Sequence, residues 1–248
     1  MKRILEVCVD SLASARAAAE GGADRLELCS ALAVGGLSPY TELLCQIKEA
    51  CDLPVRCLMR PRAGDFLYTR EEIDMLCAQI CNLRKAGADG FVIGALTPEG
   101  ALDEAAMAHL LEACGGKPTT LHRCIDVARD PEQVYRAAAE LGLDTVLTSG
   151  AAASCVQGTE TLARLLEVRD AIGGPEVLIG AGVNAAVINQ LRAQLPGARA
   201  FHMSGKMLLE SGMRFRREGV PMGLPGLDEW HIQQTDAEAV RAARAALD

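Results

Sequence analysis

The chain has 248 residues, half of them hydrophobic, and a formal net charge of −8, enough for one large core and short for two ordinary domains. The acidic balance and the lack of a Lys/Arg run argue against a nucleic-acid-binding face. No stretch approaches the roughly 18 apolar residues that a membrane span needs. Aromatics make up only 3%, so the core must be built from Leu, Val, Ile, Ala, Met and Cys.

From the start, Met1-Lys2-Arg3-Ile4-Leu5-Glu6 places charges where a secretory segment would be apolar, which predicts a cytoplasmic protein. Ten cysteines occur without a C-x-x-C pair, so they read as reduced thiols that serve mainly as small buried hydrophobes. Along the chain, short β-type runs alternate with longer helix-period stretches. Strands are predicted at 4–9, 24–28, 54–60, 89–94, 118–123, 144–149, 175–181 and 198–203. Helices are predicted at 11–21, 39–51, 70–86, 103–114, 131–141, 159–172, 184–195 and 236–247. Eight units in 248 residues is 31 residues per unit, the size of a βα step, and predicts a single-domain (β/α)8 TIM barrel over 1–248. Residues 206–235 are too long for a standard connection and read as an irregular lid or tail.

Helix boundaries carry their own signals. Thr69 with Glu72 and Thr235 with Glu238 have capping-box spacing. Ser38-Pro39 and Asp130-Pro131 read as a cap before a first-turn proline. Gly22-Ala23-Asp24, Gly87-Ala88-Asp89, Gly142-Leu143-Asp144 and Gly197-Ala198-Arg199 each stop a helix and launch an even-numbered strand, a repeat with a period of two units.

Strand alternation predicts which side chains enter the barrel. Leu5, Val7 and Val9 face the helices, leaving Glu6 and Cys8 inside. The same parity sends Arg25, Glu27 and Cys29 inward from the second strand, Arg60 from the third, His122 from the fifth, and His202 and Ser204 from the eighth. Active sites of this fold lie at the carboxyl ends of the strands, so Glu6, Glu27, His122, Asp126 and His202 are the candidate proton-transfer groups. A layer in which the carboxylates only neutralise arginines is the competing reading. Arg60 and Arg62, the loop residues Gly180 and Gly182, and Ser204 and Gly205 form a candidate anion site, combining guanidinium forks with backbone N–H groups.

LEVCVDS (5–11), GADRLELC (22–29), GGLSP (35–39), RPRAGDFLY (60–68), LHRCID (121–126), VLTSG (146–150) and MRFR (213–216) together resemble the CutC copper homeostasis family over nearly the whole chain. Departures fall at Ala63, where the family usually has a second glycine, and at Leu121 and Cys124-Ile125, which replace its FHRAFD wording. The resemblance implies a barrel, a cytoplasmic location and copper(I) handling. Copper(I) favours soft donors, and Cys8 and Cys29, inward on neighbouring strands, are the candidate metal ligands. Both also read as ordinary buried cysteines. The alternative function is a lyase, isomerase or aldolase-like enzyme acting on a small phosphate- or carboxylate-bearing metabolite. No nucleotide cofactor, nucleic acid or membrane partner is implied, and a homo-oligomer is left open.

Overall fold

The computed structural model describes residues 3–223 and 229–248. Eight parallel strands, β1 (Ile4–Val9), β2 (Arg25–Leu28), β3 (Val55–Leu58), β4 (Gly90–Ile93), β5 (Thr119–Leu121), β6 (Thr145–Thr148), β7 (Glu176–Ile179) and β8 (Ala200–Met203), close into a barrel in chain order. The helices are α1 (Leu12–Glu20), α2 (Thr41–Ala50), α3 (Arg70–Lys85), α4 (Glu104–Cys114), α5 (Pro131–Glu140), α6 (Thr159–Ile172), α7 (Ala185–Gln194) and α8 (Ala237–Leu247). Leu5, Val7 and Val9 are fully buried in the shell between strands and helices, with Leu26, Leu28, Ile80 and Leu191. Cys8, Cys29, Leu58 and Val92 form a separate cluster, on the inward parity predicted for Cys8 and Cys29.

Several boundary signals work as their chemistry requires. Thr69 and Glu72 make a reciprocal capping box on α3, and Asp130 caps α5 ahead of Pro131. Two others are corrected. Helix α2 begins at Thr41 after an extended Tyr40, and Ser38 Oγ instead donates to the Arg60 carbonyl and accepts from the Arg60 N–H, at 3.1 and 3.0 Å. Thr235 stays in a strand, its N–H bound to Ser14 Oγ, so Asp236 caps α8.

The glycine–aspartate repeat is a clamp at the amino-terminal mouth. Gly22, Gly87 and Gly142 take φ values of +87°, +99° and +76°, which glycine adopts without a Cβ clash. The aspartate two residues on then turns back to the preceding odd-numbered strand. Asp24 accepts from Leu5 N–H, Asp89 from Val55 N–H and Asp144 from Thr119 N–H, at 2.8, 2.8 and 2.6 Å. The fourth copy departs: Gly197 lacks a positive φ, and Arg199 pairs with Glu176.

The segment read as an irregular lid or tail has regular structure at its two ends, with irregular backbone over 211–223 between them. β9 (Lys206–Glu210) and β10 (His231–Thr235) form an antiparallel ribbon, and residues 224–228 of that span lie outside the described residues. The ribbon evaded periodicity because its strands are mostly exposed and alternate no core face. Its base docks where Thr235 meets Ser14 on α1.

Candidate functional site

Side chains of β1, β2 and β8 build the floor of the carboxyl-terminal mouth. Glu6 is fully buried. One of its oxygens pairs with Arg25 and the other lies 2.8 Å from His202 Nδ1. Burial alone would raise its pKa, but the Arg25 charge and the His202 hydrogen bond outweigh that and hold it at about 2. Glu6 is therefore the fixed negative charge of the floor. It lies beneath the cavity, so its place suits orienting His202 and not proton exchange with a ligand.

His202 faces the cavity above Glu6. Burial by itself would lower its pKa, but Cys8, Glu27 and the bond to Glu6 keep it well above the usual histidine range. Its Nε2 lies 3.7 Å from Glu27 Oε2, and the ring also hydrogen-bonds Cys8. One donor atom each from Cys8, Glu27 and His202 lie within 4.8 Å of one another. Glu27 is pushed up by burial, an effect the His202 charge only partly offsets. Cys29 stands beside this cluster, its thiol 3.5 Å from Glu27 Oε2, and burial together with Glu27 raises its pKa strongly.

The opposite wall comes from the ends of β3 and β5. Arg60 is buried, and its terminal nitrogens donate to the carbonyls of Val34, Gly36 and Gly64 at 2.9, 3.1 and 3.0 Å. His122 is buried beside it, and burial and the Arg60 charge lower its pKa to about 3. Its ring fits because residue 94 is glycine: a Cβ there would stand 2.5 Å from His122 Cε1. Phe66 covers this wall, its ring centroid 4.8 Å from that of His122 and 5.2 Å from Arg60 Cζ.

Between floor and wall lies a cavity of about 440 Å³, lined by Cys8, Glu27, Arg60, His122, Gly182, His202 and Ser204 among others. The convergence of these groups on one mouth follows from strand parity. Other predicted site residues are placed elsewhere. Arg62 turns outward to Glu72, Asp65 and the Leu67 carbonyl, because those acceptors are within its own loop and the start of α3, so no two-arginine clamp forms. The Gly180 N–H is held in the sheet by Thr148, and Gly205 lies against Val240 and Met203. Neither lines the cavity. Asp126 accepts from Thr148 Oγ1, Ser149 N–H and Ala151 N–H at 2.6, 3.0 and 3.1 Å, and pairs with Arg123. It fixes the loop after β6 and leaves His122 alone. Asp10, Lys206, Gln233 and Gln234 also line the cavity, outside the candidate proton-transfer, anion and metal residues. The last three come from the ribbon, which has no periodic signal to reveal it.

The closed eight-stranded parallel barrel with alternating helices places the protein among the (β/α)8 TIM barrels, with its cavity at the carboxyl-terminal mouth where that fold carries its sites. The CutC family model matches residues 3–207. A CutC protein of Chromobacterium violaceum is 42% identical over 248 residues, covering 100% of this chain and 99% of its own. The human protein named copper homeostasis protein cutC homolog is 39% identical over 243 residues, covering 98% of this chain and 88% of its own. The chain belongs to the CutC family. A CutC crystal structure from Streptococcus agalactiae superposes with a TM-score of 0.76 at 24% identity, over 82% of this chain and 98% of that one. The thiamine phosphate pyrophosphorylase of Pyrococcus furiosus gives 0.55 at 15%, over 98% and 95%; both likenesses concern the fold.

Proposed function

We propose that the protein binds copper(I) at the floor of the cavity, with Cys8 and His202 as principal donors, in a cytosolic copper homeostasis role. The observation that carries this reading is the proximity of the Cys8, His202 and Glu27 donor atoms, within 4.8 Å. Two metal–ligand bonds of about 2.0–2.3 Å span up to about 4.6 Å, so the cluster is close to chelating spacing. A thiolate and an imidazole suit a soft monovalent ion, whereas Glu27 is a harder and weaker donor for it. Cys29 is the auxiliary thiol: its bond to Glu27 must break before it joins Cys8. The two-thiol site expected from the sequence thus becomes a thiol–imidazole site with a second thiol in reserve. The copper homeostasis name of the human relative supports the role. Ten free thiols suit a reducing compartment, and no helix among the described residues is long and apolar enough to cross a membrane. Anaerobic copper(I) titration against a chromogenic chelator tests the site. Cys8→Ser is expected to abolish chelator-resistant binding, and Cys29→Ser to weaken it less. Unchanged affinity in both Cys8→Ser and His202→Asn overturns it.

A second reading is an enzyme acting on a small phosphate- or carboxylate-bearing metabolite, favoured by a cavity of about 440 Å³, far more space than one ion occupies and within the range of small-molecule sites. Glu27 and His202 are then the groups placed to exchange protons with it. Mass spectrometry of molecules released on denaturing the purified protein tests this: a stoichiometric organic ligand is expected, and its absence counts against the reading.

A further inference from the structure

The wall opposite the thiol carries a charge that the protein itself does not balance. Arg60 is 8% exposed, yet its hydrogen-bond acceptors are the three neutral carbonyls of Val34, Gly36 and Gly64. It takes part in no salt bridge among the described residues, whereas Arg25 and Arg169, equally buried, each pair with a carboxylate. Buried charges are ordinarily compensated. Arg60 also has a buried Nε–H without an acceptor. His122, next to it on the same wall, repeats the pattern. Its Nδ1 accepts the Cys124 N–H at 3.2 Å, which assigns the ring proton to Nε2, and Nε2 has no partner either. Two buried donors and one uncompensated positive charge therefore adjoin one cavity. Unmet buried donors are costly and rare, and both of these lie at the pocket.

We propose that Arg60 and His122 form a seat for the carboxylate of a small organic acid, one oxygen taking the Arg60 Nε–H and the other the His122 Nε2–H. The charge count selects the ligand class. Arg60 contributes one positive charge and His122 is neutral, so a carboxylate balances the wall where a phosphate dianion would leave an excess. The rest of the acid extends toward Cys8, Glu27 and His202 across the cavity. Phe66 packs against both side chains and also lines the cavity, so in this proposal the carboxylate reaches the two buried N–H groups as that ring moves aside. This seat rests on the second reading only in requiring that an organic molecule enter the cavity, and it is independent of copper.

The test uses metal-free protein in chelator, titrated with acetate, succinate and inorganic phosphate to about 50 mM, an excess suited to millimolar affinity. Calorimetry reports binding and the His122 ring ¹⁵N resonances report the seat. Acetate and succinate are expected to bind saturably and to move the Nε2 signal, with phosphate weaker than either. His122→Asn keeps an acceptor for the Cys124 N–H and removes the Nε2 donor, and should weaken succinate at least tenfold. Arg60→Met should lose binding, and if it does not fold, the His122→Asn result stands alone. Succinate binding undiminished in His122→Asn, with a still Nε2 resonance in the wild type, overturns the seat while leaving an organic ligand in the cavity. Phosphate binding in preference to both carboxylates also overturns it. No binding of any probe, with a neutral molecule found on mass spectrometry, rejects the seat alone; with no released molecule, the second reading falls too.

Discussion

The barrel's two mouths both carry carboxylates, but they are satisfied in opposite ways. At the amino-terminal mouth Asp24, Asp89 and Asp144 each accept a strand N–H, and Asp24 and Asp89 also pair with Arg244 and Lys48. The three aspartate–N–H bonds each tie one strand to the next, and the pairs with Arg244 and Lys48 tie them to α8 and α2. At the carboxyl-terminal mouth Glu6, Glu27 and His122 are buried with displaced pKa values, and the Arg60 Nε and His122 Nε2 donors of the cavity wall lack acceptors. Polar groups that stabilise a fold find partners within it, whereas groups that serve a ligand are left with capacity. The Glu6–Arg25 pair lies between the two regimes: it belongs to the fold, and through His202 it also orders the site.

That intermediate pair is where the largest effect is expected. Arg25→Met strands the Glu6 carboxylate in the barrel interior and should cost about 3–5 kcal/mol in denaturant unfolding. A loss below about 1 kcal/mol would show that Glu6 is balanced from elsewhere.

Acid should separate the mouths next. His122 has a folded pKa of about 3 and an unfolded value of about 6.5. The unfolded chain therefore binds the proton first, so stability is full above about pH 6.5 and declines as pH falls toward 3. At about 1.4 kcal/mol per unit, the loss has an upper figure of roughly 5 kcal/mol. His122→Asn should flatten stability against pH in that window, as measured by urea midpoints; an unchanged slope would assign the acid sensitivity to other groups.

Asp89→Ala probes the clamp. Losing the Val55 N–H bond and the Lys48 pair should lower stability by about 1–3 kcal/mol with copper(I) affinity unaltered. A parallel loss of metal binding would mean that the two mouths are coupled through β3. The smallest effect is expected from Thr69→Ala, about 1 kcal/mol for the α3 cap with no change at the cavity. Because Glu72 also holds Arg62, a larger loss would show that the cap anchors the loop carrying Arg60 to Phe66.

The sequence by itself determined the barrel, because eight β runs alternate with helix-period stretches, and the strand parity, because side chains alternate faces with a period of two. Parity was enough to put Cys8, Glu27, Arg60, His122 and His202 at one mouth. Only the tertiary structure decided how they pair. Whether Glu6 meets Arg25 or Arg60 depends on register between strands, and the fate of Arg62 depends on where α3 begins; neither is a local property. The same holds for the aspartate repeat, visible as spacing but meaningful only once each carboxylate reaches the strand before it. The ribbon was hidden because it turns no apolar face to a core. The unmatched donors of Arg60 and His122 were illegible for a plainer reason: a sequence shows which groups can donate, and only packing shows which of them have no acceptor.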